Sequence, residues 1–279
     1  MPFFKHDGRR LAYTIHGEGP RTVVLVHGIL LSQKMHRPLA KALAARGNRV
    51  VTLDLLGHGR SDRPRDMSLY AMTFFGEQII GLLDHLEVDE AVLAGTSLGA
   101  NAALEAASTA PDRARGLVIE MPVLDNALLG CAIAFTPLLV SCTFGEPLMQ
   151  LLARAARLVP TASGPWLADV ALDWIRQDPG PSGAVLQGLF FGRVAPHRAM
   201  RRTMQMPTLV IGHRRDPVHP FSDVDALVGE MPNARLVRAD SILELRLTPE
   251  RLTDEIGGFL DECWAPRAAG TAREPVRVA

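Results

Sequence analysis

The sequence has few cysteines, few aromatic residues and no net charge. Its three cysteines, Cys131, Cys142 and Cys263, lack the number and spacing of a disulfide framework or a zinc site, and they fit a reducing compartment. Thirty basic and 30 acidic residues balance without a basic patch, which argues against nucleic acid as a partner. We therefore expect no metal, no cofactor and no nucleic acid.

Long apolar runs are also scarce. The N-terminus lacks the apolar core of a signal peptide. The most apolar run, residues 127–140, is short for a membrane span. It predicts a buried or pocket-facing helix, with membrane association as the minor alternative. The chain is accordingly predicted to be cytoplasmic and to have no membrane span.

What is present is an alternation of short β-branched runs and longer helical patterns. The chain has 279 residues, 47% of them hydrophobic, which suits one large domain. The pattern predicts strands at 9–16, 22–26, 49–53, 90–94, 116–119, 208–212 and 234–238. Helices are predicted at 36–45, 70–86, 100–107, 222–230 and 249–260. This order is typical of an α/β fold with a mostly parallel sheet flanked by helices.

The alternation stops between residues 122 and 202, where helical patterns and Pro and Gly breaks replace it. We predict a core formed by residues 1–122 and 202–264, with a helical cap at 123–201 inserted between two strands. Residues 265–279, rich in Ala, Arg, Pro and Gly, are predicted to be a disordered tail.

The segment Gly95-Thr96-Ser97-Leu98-Gly99 lies directly after a predicted strand and before a predicted helix. This is the G-x-S-x-G pattern of a nucleophile elbow in the context that the motif requires. Gly95 and Gly99 leave space for a tight turn, and the turn exposes Ser97 at the start of a helix, where developing negative charge is favoured. Ser97 is the candidate nucleophile.

Three further segments accompany the elbow. His27-Gly28 follows a buried strand, Asp54-Leu55-Leu56-Gly57-His58-Gly59 follows the next strand, and Asp216 follows a late strand. Together these motifs resemble the α/β-hydrolase superfamily over about residues 8–262. The resemblance implies the α/β-hydrolase fold, with Ser97 as nucleophile and Asp216 as the acid of a triad.

The resemblance also assigns supporting roles. It implies that the backbone N–H groups of Ile29 and Leu98 form the oxyanion hole. It implies that His27 braces the oxyanion loop, next to Gly28. For His58 the favoured interpretation is a buried loop residue with a hydrogen bond.

The histidine that completes the family's triad is missing from its usual place. In the family it follows the last strand, but residues 238–246 contain none, and all nine histidines lie at or before position 219. The candidate base is His219, three residues after Asp216, although this spacing predicts an awkward direct contact between the two. His213 and His197 are weaker candidates. Glu120 and Asp125 are possible replacement acids, and each is as easily a solvated loop residue.

Two functions compete on these residues. The first is a serine hydrolase that cleaves an ester or thioester of a hydrophobic small molecule, which the apolar cap run 128–140 favours. A second apolar run, 188–192, with a glycine at each end, is predicted to gate the pocket. The alternative is a non-hydrolytic relative, either a ligand-binding pseudoenzyme or an isomerase or cyclase, which the missing histidine favours. Epoxide hydrolases and haloalkane dehalogenases resemble the chain less, because they place Asp at the elbow where this chain has Ser97.

Overall fold

A computed structural model describes residues 2–159 and 166–266. Its centre is an eight-stranded sheet with the strand order β1-β2-β4-β3-β5-β6-β7-β8. The strands are β1 (Phe3–His6), β2 (Arg9–His16), β3 (Thr22–Val26), β4 (Arg49–Leu53), β5 (Ala91–Thr96), β6 (Ala114–Glu120), β7 (Thr208–Gly212) and β8 (Ala234–Arg238).

The sheet is antiparallel at one side and parallel elsewhere. Strand β2 pairs antiparallel with both β1 and β4, whereas β4, β3, β5, β6, β7 and β8 are parallel neighbours. The carboxyl ends of the parallel strands therefore meet at one edge of the sheet, which is where ligands bind in open α/β sheets.

Helices cover both faces of the sheet. The helices outside the cap are α1 (Arg37–Ala44), α2 (Met72–His85), α3 (Leu98–Thr109), α9 (Phe221–Glu230), α10 (Glu244–Leu247) and α11 (Glu250–Trp264). Successive residues of β3 point to opposite sides, so Val24 and Val26 pack with α2 and α3 while Val23 and Leu25 pack with α1 and α11. A strand buried on both sides is a continuous apolar run, and this explains why β3 was easy to predict.

Between β6 and β7 the described residues form helices and no strand of the sheet. These cap helices are α4 (Leu128–Phe144), α5 (Glu146–Arg157), α6 (Trp166–Ile175), α7 (Pro179–Phe191) and α8 (Arg198–Thr203). Helix α4 packs mainly against α7, and Cys142 of α4 is buried next to Gly183 of α7.

The structure differs from the sequence prediction at several places. Strand β1 was missed, although Asp7 and Gly8 between β1 and β2 both have positive φ, which suits the Asp-Gly turn of a tight hairpin. Helix α3 begins at Leu98, directly after the elbow, and not at Ala100. The run 188–192, for which no secondary structure was predicted, belongs largely to the end of α7. Of the predicted tail, residues 267–279 lie outside the described residues.

The apolar run that was expected to form a buried helix is only half enclosed. It belongs to α4, in which Cys142 is the one residue classed as buried. One side of α4 packs against the core through Phe135, Leu138 and Leu139, and the other side, with Leu129 and Ile133, is exposed. The prediction of a pocket-facing helix therefore holds for one side of α4, and the prediction of burial is wrong for the other.

Candidate active site

Ser97 lies at the sharp turn between β5 and α3. Its φ of 53° and ψ of −112° are unusual for a residue with a side chain. A Cβ atom on Gly95 would come within 2.3 Å of the Gly99 carbonyl oxygen, and one on Gly99 would come within 2.2 Å of the Val26 carbonyl oxygen. Both positions of the motif thus exclude a side chain, since strand, turn and helix are in direct contact there.

Asp216 lies on the loop that follows β7, at the same edge of the sheet as the elbow. Its Oδ1 atom accepts hydrogen bonds from the backbone N–H groups of Val218 and His219, both at 2.9 Å. Burial opposes ionisation of Asp216, but the hydrogen bonds from His219 and Val218 outweigh it and lower the pKa of the carboxyl group. Asp216 is therefore a stable anion at neutral pH.

His219 lies between Asp216 and Ser97. Its Nδ1 atom is 2.9 Å from Asp216 Oδ2, and its Nε2 atom is 2.9 Å from Ser97 Oγ. The expectation of an awkward contact across three residues was wrong. The Asp216 side chain holds the turn through the two backbone N–H groups, and this turn folds the His219 ring back over the carboxylate.

The oxyanion candidates lie around the elbow as well. Leu98 is the first residue of α3, and Ile29 lies in the loop after β3; both line the same cavity as Ser97. In the part of the chain that the structure describes, neither backbone N–H group donates a hydrogen bond. Gly28 brings this loop against the elbow, because a Cβ atom there would lie 4.0 Å from Ser97 Cβ. Two free donors next to a serine can stabilise an oxyanion.

His27 and His58 are buried below this loop. His27 Nδ1 lies 2.8 Å from the Gly28 carbonyl oxygen, and its Nε2 accepts a hydrogen bond from the backbone N–H of Leu55. His58 Nδ1 lies 2.9 Å from the Leu56 carbonyl oxygen. Burial lowers the pKa of both imidazoles, so both are neutral. Their contacts connect the loops after β3 and β4, and neither ring contacts Ser97.

Within the described residues, the side chains of the other candidate bases and acids form no hydrogen bond with the Ser97 hydroxyl. His213 accepts a hydrogen bond from the backbone N–H of Arg215, and His197 is exposed at the start of α8. Asp125 is exposed, and Glu120 bonds to other partners. Among the histidines that the structure describes, His219 is the one bonded to Ser97.

Arg246 lies next to the elbow, and the sequence analysis did not identify it as a residue near the site. It comes from α10, within the segment that carries the histidine in the family pattern. Its guanidinium donates to Glu120 Oε2 at 2.7 Å and to Thr96 Oγ1 at 2.9 Å, and the Thr96 hydroxyl also donates to Glu120. This buried ion pair holds the strand ends beside Ser97, whose backbone N–H donates to the Glu120 carbonyl oxygen at 2.9 Å.

Asp223 is a second residue that the sequence analysis missed. It is buried in the first turn of α9, and its carboxylate accepts hydrogen bonds from the backbone N–H groups of Leu124, Asn126 and Ala127. These groups belong to the turn that starts the cap. Asp223 thus connects the cap to the segment directly after His219, and no motif in the sequence signals it.

A cavity of about 350 Å³ opens at Ser97 beneath the cap. Among the described residues that line it, none is charged. The polar side chains are Ser97, Cys131 and Asn101, and the Asn101 amide is occupied by the backbone of Val123 and Val194. The remaining lining is apolar and comes from Ile29, Met72, Leu98, Val123, Leu128, Ala132, Phe135, Leu186, Leu189, Phe190, Gly192 and Val194. Such a cavity favours a neutral, apolar ligand.

Cys131 is the other nucleophilic side chain of this cavity. Burial raises the pKa of its thiol to about 11, with a contribution from the negative charges of Asp223 and Asp216. The thiol is protonated at neutral pH, and the thiolate is the nucleophilic form of cysteine. Of the two candidates, Ser97 has the base beside it.

Within the described residues, one group could offer three ligand atoms to a metal ion, namely His6, Asp7 and Glu77. It lies on β1, the turn after β1 and α2, outside the cavity that contains Ser97. Exposed carboxylates often lie together without an ion, and no step of the site's chemistry needs one.

In amino-acid sequence, known proteins resemble this chain mainly in its first half. Residues 21–132 match the family model described as "alpha/beta hydrolase fold". An epoxide hydrolase of Caballeronia sordidicola is 39% identical over 107 residues, which are 38% of this chain and 32% of that protein. A 2-hydroxymuconate semialdehyde hydrolase of Pseudomonas sp. (strain CF600) is 34% identical over 105 residues, 38% of this chain and 34% of that protein. The matches thus span about a third of these relatives' length.

Solved structures match nearly the whole chain. A hydrolase from Pseudomonas aeruginosa PA01 superposes with a TM-score of 0.75 at 25% identity and covers 93% of this chain and 97% of its own. The enol-lactonase from Burkholderia xenovorans LB400 has a TM-score of 0.74 at 23% identity and covers 93% of this chain and 99% of its own. The likeness therefore includes the cap and the second half of the sheet, where sequence identity alone reports little.

Proposed function

We propose that this chain, which has the α/β-hydrolase fold, is a serine hydrolase that cleaves an ester or thioester of a neutral, hydrophobic small molecule. The observation that carries the proposal is the unbroken hydrogen-bond chain from Asp216 through His219 to Ser97, at the wall of an apolar cavity. A hydrogen-bonded base is what converts a weakly nucleophilic serine into a reactive one.

The proposed reaction follows from this geometry. Nδ1 of His219 donates to the Asp216 carboxylate, which leaves the Nε2 lone pair free to accept the Ser97 proton. Ser97 Oγ attacks the carbonyl carbon, and the N–H groups of Ile29 and Leu98 stabilise the oxyanion. His219 returns the proton to the departing alcohol or thiol. Water, deprotonated by His219, then releases the acid from the acyl-enzyme and restores Ser97.

The substrate class follows from the cavity. Burying a charged group without a partner is costly, and the described lining offers none, so a neutral acyl chain or aromatic ring fits best. Non-hydrolytic chemistry, the competing proposal, would leave Ser97 unreactive in the same cavity. The relatives are described as an epoxide hydrolase and a semialdehyde hydrolase, which supports hydrolysis in general rather than ester hydrolysis in particular.

The test is labelling with a fluorophosphonate probe, together with hydrolysis of p-nitrophenyl esters of acetate, butyrate, octanoate and benzoate. We expect wild type to be labelled and to prefer the longer or aromatic esters, and Ser97→Ala to lose both activities. The matched control is Ser108→Ala, a serine in the last turn of α3 whose hydroxyl bonds to the Glu105 carbonyl oxygen. Equal hydrolysis by wild type and Ser97→Ala, without labelling, would favour the non-hydrolytic alternative.

A further inference from the structure

Helix α4 is apolar on all of its sides. No charged residue occurs from position 126 to position 145. On the inner side, Cys131, Ala132 and Phe135 line the Ser97 cavity. A helix that is hydrophobic all round is normally enclosed by protein or by lipid. Here the inner side is enclosed by the core, and the outer side needs another explanation.

The outer side of α4 is exposed. Leu129 is 72% exposed and Ile133 is 68% exposed, one helical turn apart, and Phe144 at the end of the helix is 83% exposed. The stretch Asp125–Phe144 is long and apolar enough to cross a membrane, and only 11% of its most apolar window is buried. Large contiguous apolar surfaces on a folded chain mark an interaction site.

Helix α5 continues this surface. Leu148 and Leu151, one turn apart, are exposed, while Ala153 on the opposite side is buried. The exposed surfaces of α4 and α5 adjoin at Gly145, between Phe144 and Leu148. We call this surface the cap face and define it by Leu129, Ile133, Val140, Phe144, Leu148 and Leu151.

Positive charge accompanies the cap face. Arg154 is exposed on α5, three residues after Leu151, and within the described residues it forms no ion pair with a carboxylate. Arg157 lies on the side of buried Ala153, where its guanidinium donates to the Arg176 carbonyl oxygen. The acidic residue of the helix, Glu146, is already paired with Arg65 at 2.8 Å. An apolar helix face with a basic residue at its border is typical of helices that lie in the surface of an anionic membrane.

We propose that the cap face docks on an anionic lipid surface, with α4 and α5 lying in its plane. The charge-free apolar face and the exposed Arg154 at its border together match this occupant. A membrane-spanning α4 does not fit, since its inner side lines the cavity and contacts the His219 loop, where Gly130 lies against the Pro217 carbonyl oxygen.

The cap face is continuous with the cavity. Leu128 lines the cavity, is 47% exposed and directly precedes Leu129 of the cap face. An apolar molecule dissolved in the lipid could therefore enter the cavity without crossing water. This second part rests on the proposed hydrolase function and names the source of its substrate as the lipid phase.

The experiment is flotation of the full chain with vesicles of phosphatidylglycerol and phosphatidylcholine, compared with vesicles of phosphatidylcholine alone. We expect binding to the mixed vesicles. Ile133→Asp with Leu151→Asp should weaken it at least tenfold, as expected when two buried aliphatic side chains are lost. Arg154→Gln should weaken binding to the anionic vesicles by about fivefold and leave the neutral vesicles unaffected. The matched control is Leu247→Asp, an exposed leucine outside the cap.

Three results would overturn the docking proposal: no flotation by wild type, equal flotation by wild type and the double variant, or a wild-type dimer that the double variant dissociates. Ser97→Ala should float like wild type, so flotation without any ester hydrolysis would sustain docking and refute the hydrolase. For the substrate source, the double variant should cleave a soluble short ester at the wild-type rate and a vesicle-borne ester more slowly. Equal slowing on both esters would refute delivery from lipid.

Discussion

Replacing His219 by Ala tests the most specific feature of the site. The His219 ring is the connection between Asp216 and Ser97, with 2.9 Å on each side. Its removal leaves Ser97 without an acceptor for its proton. The loop itself should keep its shape, because Asp216 Oδ1 still accepts the backbone N–H groups of residues 218 and 219. The variant therefore isolates the chemical role from the structural one.

The expected loss of activity in His219→Ala depends on which groups of the site remain in the variant. General base catalysis contributes about 10²- to 10⁴-fold, which is about 3 to 5 kcal/mol of transition-state stabilisation. The proposed oxyanion donors and the cavity stay in place, so activity above the uncatalysed rate should persist. Asp216→Asn should also lower kcat, and the combination with His219→Ala should be little worse than His219→Ala alone, since Asn keeps an oxygen that accepts from the turn and the remaining effect of the carboxylate acts through the ring.

The assay is kcat/KM on p-nitrophenyl butyrate, with the unfolding midpoint in urea measured on the same preparations. The matched control is His213→Ala, which removes a ring from the same loop whose hydrogen bond is to the Arg215 backbone. We expect His213→Ala to retain wild-type activity. If His219→Ala and His213→Ala behave alike, the base lies elsewhere, and the assignment of His219 fails whatever its distance from Ser97.

Two more predictions concern residues next to the site. Because burial raises the pKa of Cys131 to about 11, only about one thiol in 3,000 is ionised at pH 7.5. Iodoacetamide should therefore alkylate Cys131 far more slowly in the folded chain than in the unfolded chain. Mass spectrometry measures both rates, and equal rates would contradict the prediction. Arg246→Met should lower the free energy of unfolding by about 3 kcal/mol, because it leaves the Glu120 carboxylate buried without its ion partner. Arg246→Met with Glu120→Gln should recover most of the loss in urea unfolding, and an additive loss would refute the pairing argument.

The core of the fold was predictable because its signals are local. A buried parallel strand such as β3 is an unbroken apolar run, and the elbow is a five-residue motif whose glycines are required by direct backbone contact. Strand β1 escaped because four residues on an edge carry little periodicity. Its Asp7-Gly8 turn was the available signal, since that pair favours a two-residue hairpin.

The cap and the supporting residues were predictable only in outline. Absence of strand patterns indicated helices between residues 123 and 201, but which side of α4 would be covered depends on packing that has no local signature. Asp223 and Arg246 act on groups about 100 and 125 residues away in sequence, so no spacing rule connects them. Contacts of this kind arise from tertiary structure alone.

The place of His219 shows why chain order constrains a site less than sheet topology does. Strands β5 and β7 are separated by β6 only, and both end at the same edge of the sheet. A loop after β7 that carries acid and base together can thus reach Ser97 as well as a loop after β8 can. The hydrogen bonds that Asp216 accepts from the turn orient the ring, so one short loop carries both the proposed acid and the proposed base. The segment after β8 then contains no proposed catalytic residue, and Arg246 from that segment binds Glu120 beside the elbow. We expect that an added histidine after β8, such as Leu243→His, does not restore p-nitrophenyl butyrate hydrolysis to His219→Ala, because the Leu243 side chain is exposed and Arg246 fixes this segment against Glu120.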